Sequence, residues 1–154
     1  MTPGPRRYIL DTNILLAYIR AGGLGQHIEA KYGLRASPFR PLICVVSVGE
    51  VRALGARNRW NDEKTVRMNE LLSQVVWVDI SEPGVLDAYV AVVNSRPKGW
   101  EIRDNDKWIA AAAAATKACL LTTDTDFDYL AGKLIEREWI DPKLGKSPGL
   151  PGTA

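Results

Sequence analysis

The chain has 154 residues, 46% hydrophobic and 25% charged, with a formal net charge of +2. This length suits one domain that buries its own core, and the composition excludes a disordered or collagen-like chain. No apolar run approaches the roughly 20 residues that cross a bilayer, and prolines and a glycine at residues 3–5 occupy the place of a signal peptide's apolar segment. We therefore expect a cytoplasmic protein with no membrane contact.

The charge is distributed unevenly along the chain. Residues 1–60 contain nine Lys or Arg and three acids, a net charge of +6. The remaining residues contain eleven Lys or Arg and fifteen acids, a net charge of −4. A basic half beside an acidic half is expected of a protein that holds a polyanion near a carboxylate-bound cation. Taken alone, however, ordinary solvated surface charge explains this asymmetry more simply.

The apolar pattern predicts strands and helices in alternation. The predicted strands cover residues 8–10, 42–46, 75–78, 119–122 and 138–140. The predicted helices cover residues 14–19, 24–32, 47–57, 62–74, 81–93, 105–117 and 127–130. Because the strands are continuous apolar runs, they predict an α/β fold of three α/β/α layers around a central, mostly parallel sheet of four to five strands.

One domain is predicted over residues 1–141. Residues 142–154 are rich in Gly, Pro, Lys and Ser, and they predict a flexible tail. Cys44 and Cys119 each lie inside an apolar strand-like run, which favours two buried free thiols over a disulfide.

Four acids occupy junctions between predicted elements. Asp11, Glu50 and Asp124 stand where strands end, and Asp106 stands in the first turn of an alanine-rich helix. In a parallel sheet the strand ends share one edge, where ligands bind. Carboxylates gathered there raise one another's pKa, and a divalent cation removes that repulsion. Because no His or Cys accompanies them, oxygen ligands of this kind indicate Mg²⁺ or Mn²⁺ rather than zinc.

Each acid also has a purely structural explanation. Asp11 is a suitable helix cap, and Asp106 complements the dipole of the helix it begins. The segment 47–50, SVGE, has the spacing of a capping box in which the glutamate accepts a hydrogen bond from the serine backbone. Asp124, like Asp126, suits a turn after a strand. Only the joint occurrence of the four acids, in this order, favours a common site.

Four segments resemble successive motifs of the PIN-domain nucleases, most closely the VapC-type toxins of toxin–antitoxin pairs. They are YILDTNILL, VVSVGEV, NDKWIAAAA and LLTTDTDF. The resemblance covers about residues 8–129 and places the four acids of the family on Asp11, Glu50, Asp106 and Asp124. It implies a PIN-like fold, an RNA substrate, a cognate antitoxin as partner and a homodimer.

The resemblance further implies a metal-dependent endoribonuclease that hydrolyses RNA with one or two Mg²⁺ or Mn²⁺ held by these acids. A water activated by the metal would leave 5′-phosphate and 3′-hydroxyl ends. Asp126 is a rival or an addition to Asp124 as metal ligand. The supporting candidates are Thr12, Asn13, Thr123 and Asp104, and the candidates for substrate contacts are Arg52, Arg57 and Arg59. The candidates for stacking on bases are Trp60, Trp77, Trp100, Trp108 and Tyr18, although packing explains most of them.

Three other functions fit less well. A PIN-like RNA-binding or RNA-processing protein with weak or no catalysis is the main alternative, and the four retained acids argue against it. An aspartyl-nucleophile phosphatase needs a second Asp two residues after Asp11, where Asn13 stands. A nucleotide-binding domain needs a Gly-rich loop after a strand, and none follows these strands. The single histidine, His27, forms no Ser-His or Cys-His pattern in the sequence.

Overall fold

A computed structural model describes residues 6–145. Within this range the chain forms five strands, six α-helices and one short 3-10 helix. The strands are β1 (Tyr8–Leu10), β2 (Leu42–Cys44), β3 (Val76–Val78), β4 (Cys119–Thr122) and β5 (Glu136–Trp139). The helices are α1 (Thr12–Arg20), α2 (Gly23–Tyr32), α3 (Val45–Arg57), α4 (Asp62–Ser73), α5 (Val85–Asn94) and α6 (Asp104–Thr116), and the 3-10 helix is Pro142–Gly145.

The five strands form one sheet in the order β3-β2-β1-β4-β5, with every pair parallel. From β1 the chain adds β2 and β3 on one side, then returns to add β4 and β5 on the other. The strand order therefore reverses between β1 and β4. In open parallel sheets, ligands bind beyond the carboxyl ends of the strands at such a point.

Helices cover both faces of the sheet, which confirms the predicted three-layer α/β/α fold. Successive strand residues point to opposite faces. Ile9 and Leu120 pack into one apolar cluster with α5 and α6, whereas Leu10 and Leu121 pack into a second cluster with α1 to α4. Each such side chain contributes about 1.5–3 kcal/mol by leaving water. The fully buried alanines 110–113 let α6 lie close against the sheet.

Strand β2 ends two residues earlier than the sequence predicts. Cys44 has an extended backbone (φ −68°, ψ 138°), and α3 begins directly after it. Val48 and Val51, three residues apart, then lie buried on the inner face of the helix. Ser47 lies inside the first turn of α3 and not at its cap, so the capping box predicted for Glu50 is wrong.

Among the other predicted elements, two helices and the last strand differ from the structure in ways that have a local cause. The helix expected over residues 81–93 begins only at Val85, because Gly84 has a left-handed backbone (φ 87°) that no helix continues through. Residues 127–130 form turns instead of a helix. The last strand covers Glu136–Trp139 rather than 138–140, since its register against β4 is set by pairing along all four residues of β4.

The residues predicted as a tail begin with an ordered segment. The 3-10 helix Pro142–Gly145 packs against α2, where the backbones of Gly145 and Gly23 approach so closely that an added Cβ on Gly23 would lie 2.4 Å from the Gly145 oxygen. Residues 1–5 and 146–154 lie outside the described range. Cys44 and Cys119 are buried free thiols, as predicted. Between residues 6 and 145, no helix has the length and apolarity to cross a membrane.

Candidate functional site

Asp11 follows β1 and caps α1. Its Oδ1 accepts a hydrogen bond from the backbone N–H of Thr12 at 2.8 Å, and its Oδ2 accepts one from the Thr122 hydroxyl at 2.6 Å. The residue is only 3% exposed. Burial raises the pKa of its carboxyl to about 6, against the lowering effect of the two hydrogen bonds, and the charges of Asp124 and Glu50 act in the same direction as burial. The expected cap therefore exists, but the charge of Asp11 is destabilised where it lies.

Asp106 lies in the first turn of α6 and is also 3% exposed. Within residues 6–145 its Oδ2 has no hydrogen-bond partner, although the Nε of Arg103 lies 3.7 Å away. Burial, and next the charge of Asp11, raises the pKa of the Asp106 carboxyl to about 7. A buried carboxylate oxygen without a partner costs free energy. A cation placed beside it would remove that cost.

Asp124 and Asp126 lie in the turn after β4. The Asp124 backbone N–H donates to the Thr122 hydroxyl, and the Asp126 backbone N–H donates to Asp124 Oδ1, both at 2.9 Å. Among the described residues, the group of three acids that could hold a metal ion is Asp106, Asp124 and Asp126, whose carboxylate oxygens lie within 4.8 Å of one another. Asp126 therefore joins Asp124 beside Asp106 and does not replace it.

Glu50, in α3, lies at the same edge of the sheet and is hydrogen-bonded to the Thr12 hydroxyl, which is itself bonded to the Ser47 hydroxyl. The Thr12 hydroxyl lies 2.9 Å from Glu50 Oε1 and 2.9 Å from the hydroxyl of fully buried Ser47. A carboxylate only accepts hydrogen bonds, so Thr12 gives its single hydrogen to Glu50 and accepts the hydrogen of Ser47. The serine predicted as a cap therefore belongs to a relay that orients Glu50.

A cavity of about 590 Å³ opens at this edge of the sheet. It combines carboxylate oxygens with two guanidinium groups, those of Arg57 and Arg103. Its polar lining residues are Asp11, Thr12, Asn13, Glu50, Arg57, Arg103, Asn105 and Asp106. A negatively charged strand such as RNA would meet both the positive groups and the acids here.

Asp104 and two of the arginines predicted to contact substrate lie outside this cavity lining. Asp104 is exposed and pairs with Lys107 at 2.9 Å. The guanidinium of Arg52 lies 5.3 Å from the centre of the Trp77 ring. Arg59 is exposed just beyond α3, with a left-handed backbone (φ 50°). Of the three predicted arginines, Arg57 alone lines the cavity in the described structure.

Thr122 is a functional residue that the sequence reasoning missed. Its fully buried hydroxyl donates to Asp11 and accepts from the backbone of Asp124, so one side chain fixes two acids. The predicted Thr123 borders an adjacent cavity, and its carbonyl accepts a hydrogen bond from Trp139 at 3.0 Å. A Thr two residues before an Asp at a strand end is a turn pattern, and that pattern was the available signal.

Arg103 was also missed. It stands three residues before Asp106, a spacing that places two side chains together on a helix, and its Nε lies near the Asp106 carboxylate. Its side chain is 71% exposed. It therefore lies at the mouth of the cavity, where it is available to a phosphate group.

The donor set fits a hard divalent cation. It contains three carboxylates whose oxygens lie within 4.8 Å of one another, those of Asp106, Asp124 and Asp126, and two more, Asp11 and Glu50, whose charges act on Asp106. Burial, and next the neighbouring acids, raise the pKa values of Asp11 and Asp106, so a cation beside them would favour their charged forms. Oxygen ligands of this type suit Mg²⁺ or Mn²⁺. The five acids are Asp11, Glu50, Asp106, Asp124 and Asp126.

Solved structures from three bacteria have a similar fold. A chain of VapBC2 from Rickettsia felis, in a crystal structure with a promoter DNA fragment, has 22% identity and a TM-score of 0.69, covering 85% of this chain and 98% of its own. VapBC-1 of nontypeable Haemophilus influenzae has 24% identity and a TM-score of 0.66, covering 86% of this chain and 97% of its own. VapBC-5 from Mycobacterium tuberculosis, a member of the VapBC family of toxin–antitoxin systems, has 22% identity and a TM-score of 0.62, covering 88% of this chain and 100% of its own.

Sequence comparisons complete the picture. A scan against protein families matches residues 8–133 to the PIN domain. A search of curated protein sequences gave no significant match. The matched range contains β1 to β4, all six helices and the five acids of the site.

Proposed function

This chain belongs to the PIN-domain family, and we propose that it is a metal-dependent endoribonuclease, the toxin of a toxin–antitoxin pair. The observation that carries the proposal is the buried Oδ2 of Asp106, which has no hydrogen-bond partner in the described structure, with Asp124 and Asp126 within 4.8 Å, at the edge where the strand order reverses. The alternative, a PIN-like protein that binds RNA without cutting it, gives no reason to retain this repulsion.

The proposed ligands of one or two Mg²⁺ or Mn²⁺ are Asp11, Glu50, Asp106 and Asp124, with Asp126 as a further ligand. A bound divalent cation supplies an activated water and neutralises the charge that develops on the scissile phosphate. These acids must be ionised to act as ligands. The raised pKa values of Asp11 and Asp106 therefore predict that the protein holds the metal more weakly below about pH 6 to 7.

The remaining residues of the site position the acids and the substrate. Thr122 holds Asp11 and Asp124 in fixed orientations, and Thr12 does the same for Glu50. Arg57 and Arg103 provide positive charge for RNA phosphates at the cavity. Asn13, exposed at the same cavity, provides an amide that can donate to a phosphate oxygen or orient a water.

A cognate antitoxin and a second copy of the chain are the proposed protein partners. The similar structures from three bacteria belong to VapBC complexes, which supports an antitoxin, and the homodimer follows from the resemblance of the sequence to this family. The proposed place of action is the cytoplasm. A short neighbouring gene whose product co-purifies with this chain would support the toxin assignment, and light scattering on the purified chain measures its oligomeric state.

The test is cleavage of single-stranded RNA by the full-length chain with Mn²⁺, with Mg²⁺ and with a chelator. The variants are Asp11→Asn and Asp106→Asn, with Asp104→Asn as the matched control, since Asp104 lies in the same turn of α6 but pairs with Lys107. We expect metal-dependent cleavage by the wild type and by Asp104→Asn, with 5′-phosphate and 3′-hydroxyl products.

Two results would overturn the proposal. The first is equal cleavage in the presence of the chelator or by both site variants, because the acids would then be structural. The second is a 2′,3′-cyclic phosphate product, because the 2′-hydroxyl would then be the nucleophile.

A further inference from the structure

Two tryptophans bracket the turn that carries Asp124. The indole N–H of Trp139 donates to the carbonyl of Thr123, and the indole N–H of Trp100 donates to the carbonyl of Asp126, both at 3.0 Å. The two residues are nevertheless 42% and 36% exposed. Their hydrogen bonds fix the rings in place while leaving much of the aromatic surface open to solvent.

The surroundings of Trp100 suit a nucleic acid. Its ring packs against Tyr129, with centroids 5.4 Å apart at 55°, which supports one part of the indole. It belongs to the segment 96–103, which has three basic residues and one acid and ends at Arg103 beside the acidic cavity. Basic residues interleaved with an exposed aromatic ring are typical of surfaces that bind single-stranded nucleic acid.

Trp139 lies at the other end of the turn, on the last residue of β5. Its hydrogen-bond partner Thr123 borders a second cavity, of about 330 Å³, together with Asn13 and Arg20. Asn13 also lines the acidic cavity, so the two cavities adjoin. Arg20 thus borders this cavity, and the indole of Trp139 is bonded to Thr123 at its rim, so a strand that followed it would have a basic side chain and an indole within reach.

We infer that Trp100 and Trp139 are base-binding subsites, on which nucleobases on either side of the scissile phosphate stack. This inference rests on the proposed ribonuclease function and adds how its substrate is held. Stacking on an indole accepts any base but requires that the base be unpaired. Rings already fixed by hydrogen bonds lose little conformational entropy when a base binds. The subsites thus favour unpaired RNA and orient it across the acids.

A positioning role makes a different prediction from a stacking role. If the tryptophans only hold the turn, the indole N–H matters and Trp→Phe should damage the protein as much as Trp→Leu. If they stack on bases, Phe keeps an aromatic plane and should retain most of the function. Trp77 is the matched control, because it is 43% exposed and anchored by the same kind of bond, to the Leu72 carbonyl at 3.0 Å, but it lies on the opposite edge strand β3.

The experiment measures the Kd of a dye-labelled 12-nucleotide single-stranded RNA, by fluorescence anisotropy, for the full-length chain carrying Asp106→Asn to prevent cleavage. In this background we expect Trp100→Leu and Trp139→Leu each to weaken binding about tenfold, and the Phe variants to weaken it less than about threefold. Trp77→Leu should leave the Kd unchanged, and thermal unfolding checks that every variant is folded.

Abasic RNA identifies the contact directly. Removing the base that stacks on one tryptophan should weaken binding to the parent protein about tenfold, yet weaken binding to the matching Leu variant very little, because the contact is already lost. Equal abasic penalties in both proteins, or Phe variants as weak as the Leu variants, would overturn the inference.

The outcomes for the subsites and for the proposed function are separable. Metal-dependent cleavage by the wild type, together with unchanged Kd values in the Leu variants, would overturn the subsites and leave the ribonuclease proposal standing. Absence of cleavage, together with weaker binding in the Leu variants, would overturn the ribonuclease proposal and leave the base-binding subsites standing.

Discussion

Glu29 in α2 and Asp106 in α6 are acids held in opposite ways. Glu29 Oε1 accepts a hydrogen bond from the Tyr18 hydroxyl at 2.8 Å, and both carboxylate oxygens accept from the Arg35 backbone N–H, at 3.3 and 3.2 Å. The Arg35 guanidinium lies 5.5 Å from the centre of the Tyr18 ring. Asp106 is buried, yet its Oδ2 has no hydrogen-bond partner in the described structure.

The difference separates an acid that donors of the chain itself hold from one that a ligand could satisfy. The donors around Glu29 come from the chain itself, so the Glu29 carboxylate joins α1, α2 and the loop after α2 without a bound ligand. Buried polar groups are normally satisfied in this way. Asp106 Oδ2 is one of three buried side-chain atoms without a hydrogen-bond partner among the described residues, with Arg137 Nε and Glu138 Oε2, and of the three only Asp106 lines the acidic cavity. Such local exceptions concentrate at functional sites. A cation bound there would recover the free energy lost.

The largest expected effect concerns activity. Asp106→Asn should lower RNA cleavage at least about 100-fold, the upper end of what losing a partner of a metal ligand costs, whereas Glu29→Gln should leave it nearly unchanged. Initial rates at saturating Mn²⁺ measure both. If Glu29→Gln lost as much activity as Asp106→Asn, the division between structural and functional acids would be wrong.

The next effect is the pH dependence of stability without metal. Because folding raises the pKa of Asp106 from 3.8 to about 7 and that of Asp11 to about 6, the folded state binds more protons than the unfolded state between these values. The stabilisation from these groups is complete below pH 4 and is lost as the pH rises through 7, and at about 1.4 kcal/mol per pKa unit the loss between pH 5 and pH 8 is on the order of 4 kcal/mol. Urea denaturation in a chelator at pH 5 and pH 8 measures the free energy of unfolding.

Two controls sharpen this measurement. Asp106→Asn should remove much of the loss between pH 5 and pH 8, since the variant has no carboxyl to ionise at that position. Saturating Mn²⁺ should stabilise the wild type more at pH 8 than at pH 5, because a ligand that binds only the folded state adds free energy. A wild type and a variant with the same pH dependence would contradict the assignment.

A smaller effect is expected at the other acid. Tyr18→Phe removes the hydroxyl that donates to Glu29 and should lower the free energy of unfolding by about 1 kcal/mol, the usual value of such a hydrogen bond. RNA cleavage by the folded variant should be unchanged. A variant as stable as the wild type would show that Glu29 is not held by this bond.

The smallest effect concerns the relay to Glu50. Ser47→Ala removes the hydroxyl that donates to Thr12 and so loosens the Thr12 hydroxyl that donates to Glu50. We expect the variant to need a Mn²⁺ concentration higher by roughly tenfold or less for the same rate of cleavage. The Mn²⁺ concentration that gives half-maximal rate reports this effect, and Ser47→Thr, which keeps the hydroxyl, is the control. An identical Mn²⁺ dependence in Ser47→Ala would exclude a positioning role for Ser47.

Local sequence pattern was enough to predict most of the fold. Apolar runs of three to five residues, separated by segments of helical periodicity, predicted all five strands of the described sheet and that the sheet would be mostly parallel. The errors came where packing outweighed local preference. Val45 and Val46 have β-branched side chains that favour a strand, yet they begin α3, because the helix places Val48 and Val51 in the core.

The site was predictable in its acids and not in their connections. Asp11, Asp106 and Asp124 were found because each stands at the end or start of an element. The hydroxyl groups that hold them join residues far apart in sequence, such as Thr12 to Ser47 and Thr122 to Asp11, 35 and 111 positions apart. Contacts of that range depend on the order of strands in the sheet, which periodicity does not encode.

The central place of β1 also has a consequence for synthesis of the protein on the ribosome. β1 is made first, but its neighbour β4 follows 111 residues later, as in the pairing of Tyr8 with Cys119. At about 5–20 residues per second, some 6 to 20 seconds pass before the two strands can meet. Until Asp124 and Asp126 have been made, the nascent chain holds only part of the acidic cluster. The proposed ribonuclease would therefore have no activity until its chain has been made at least through Asp126.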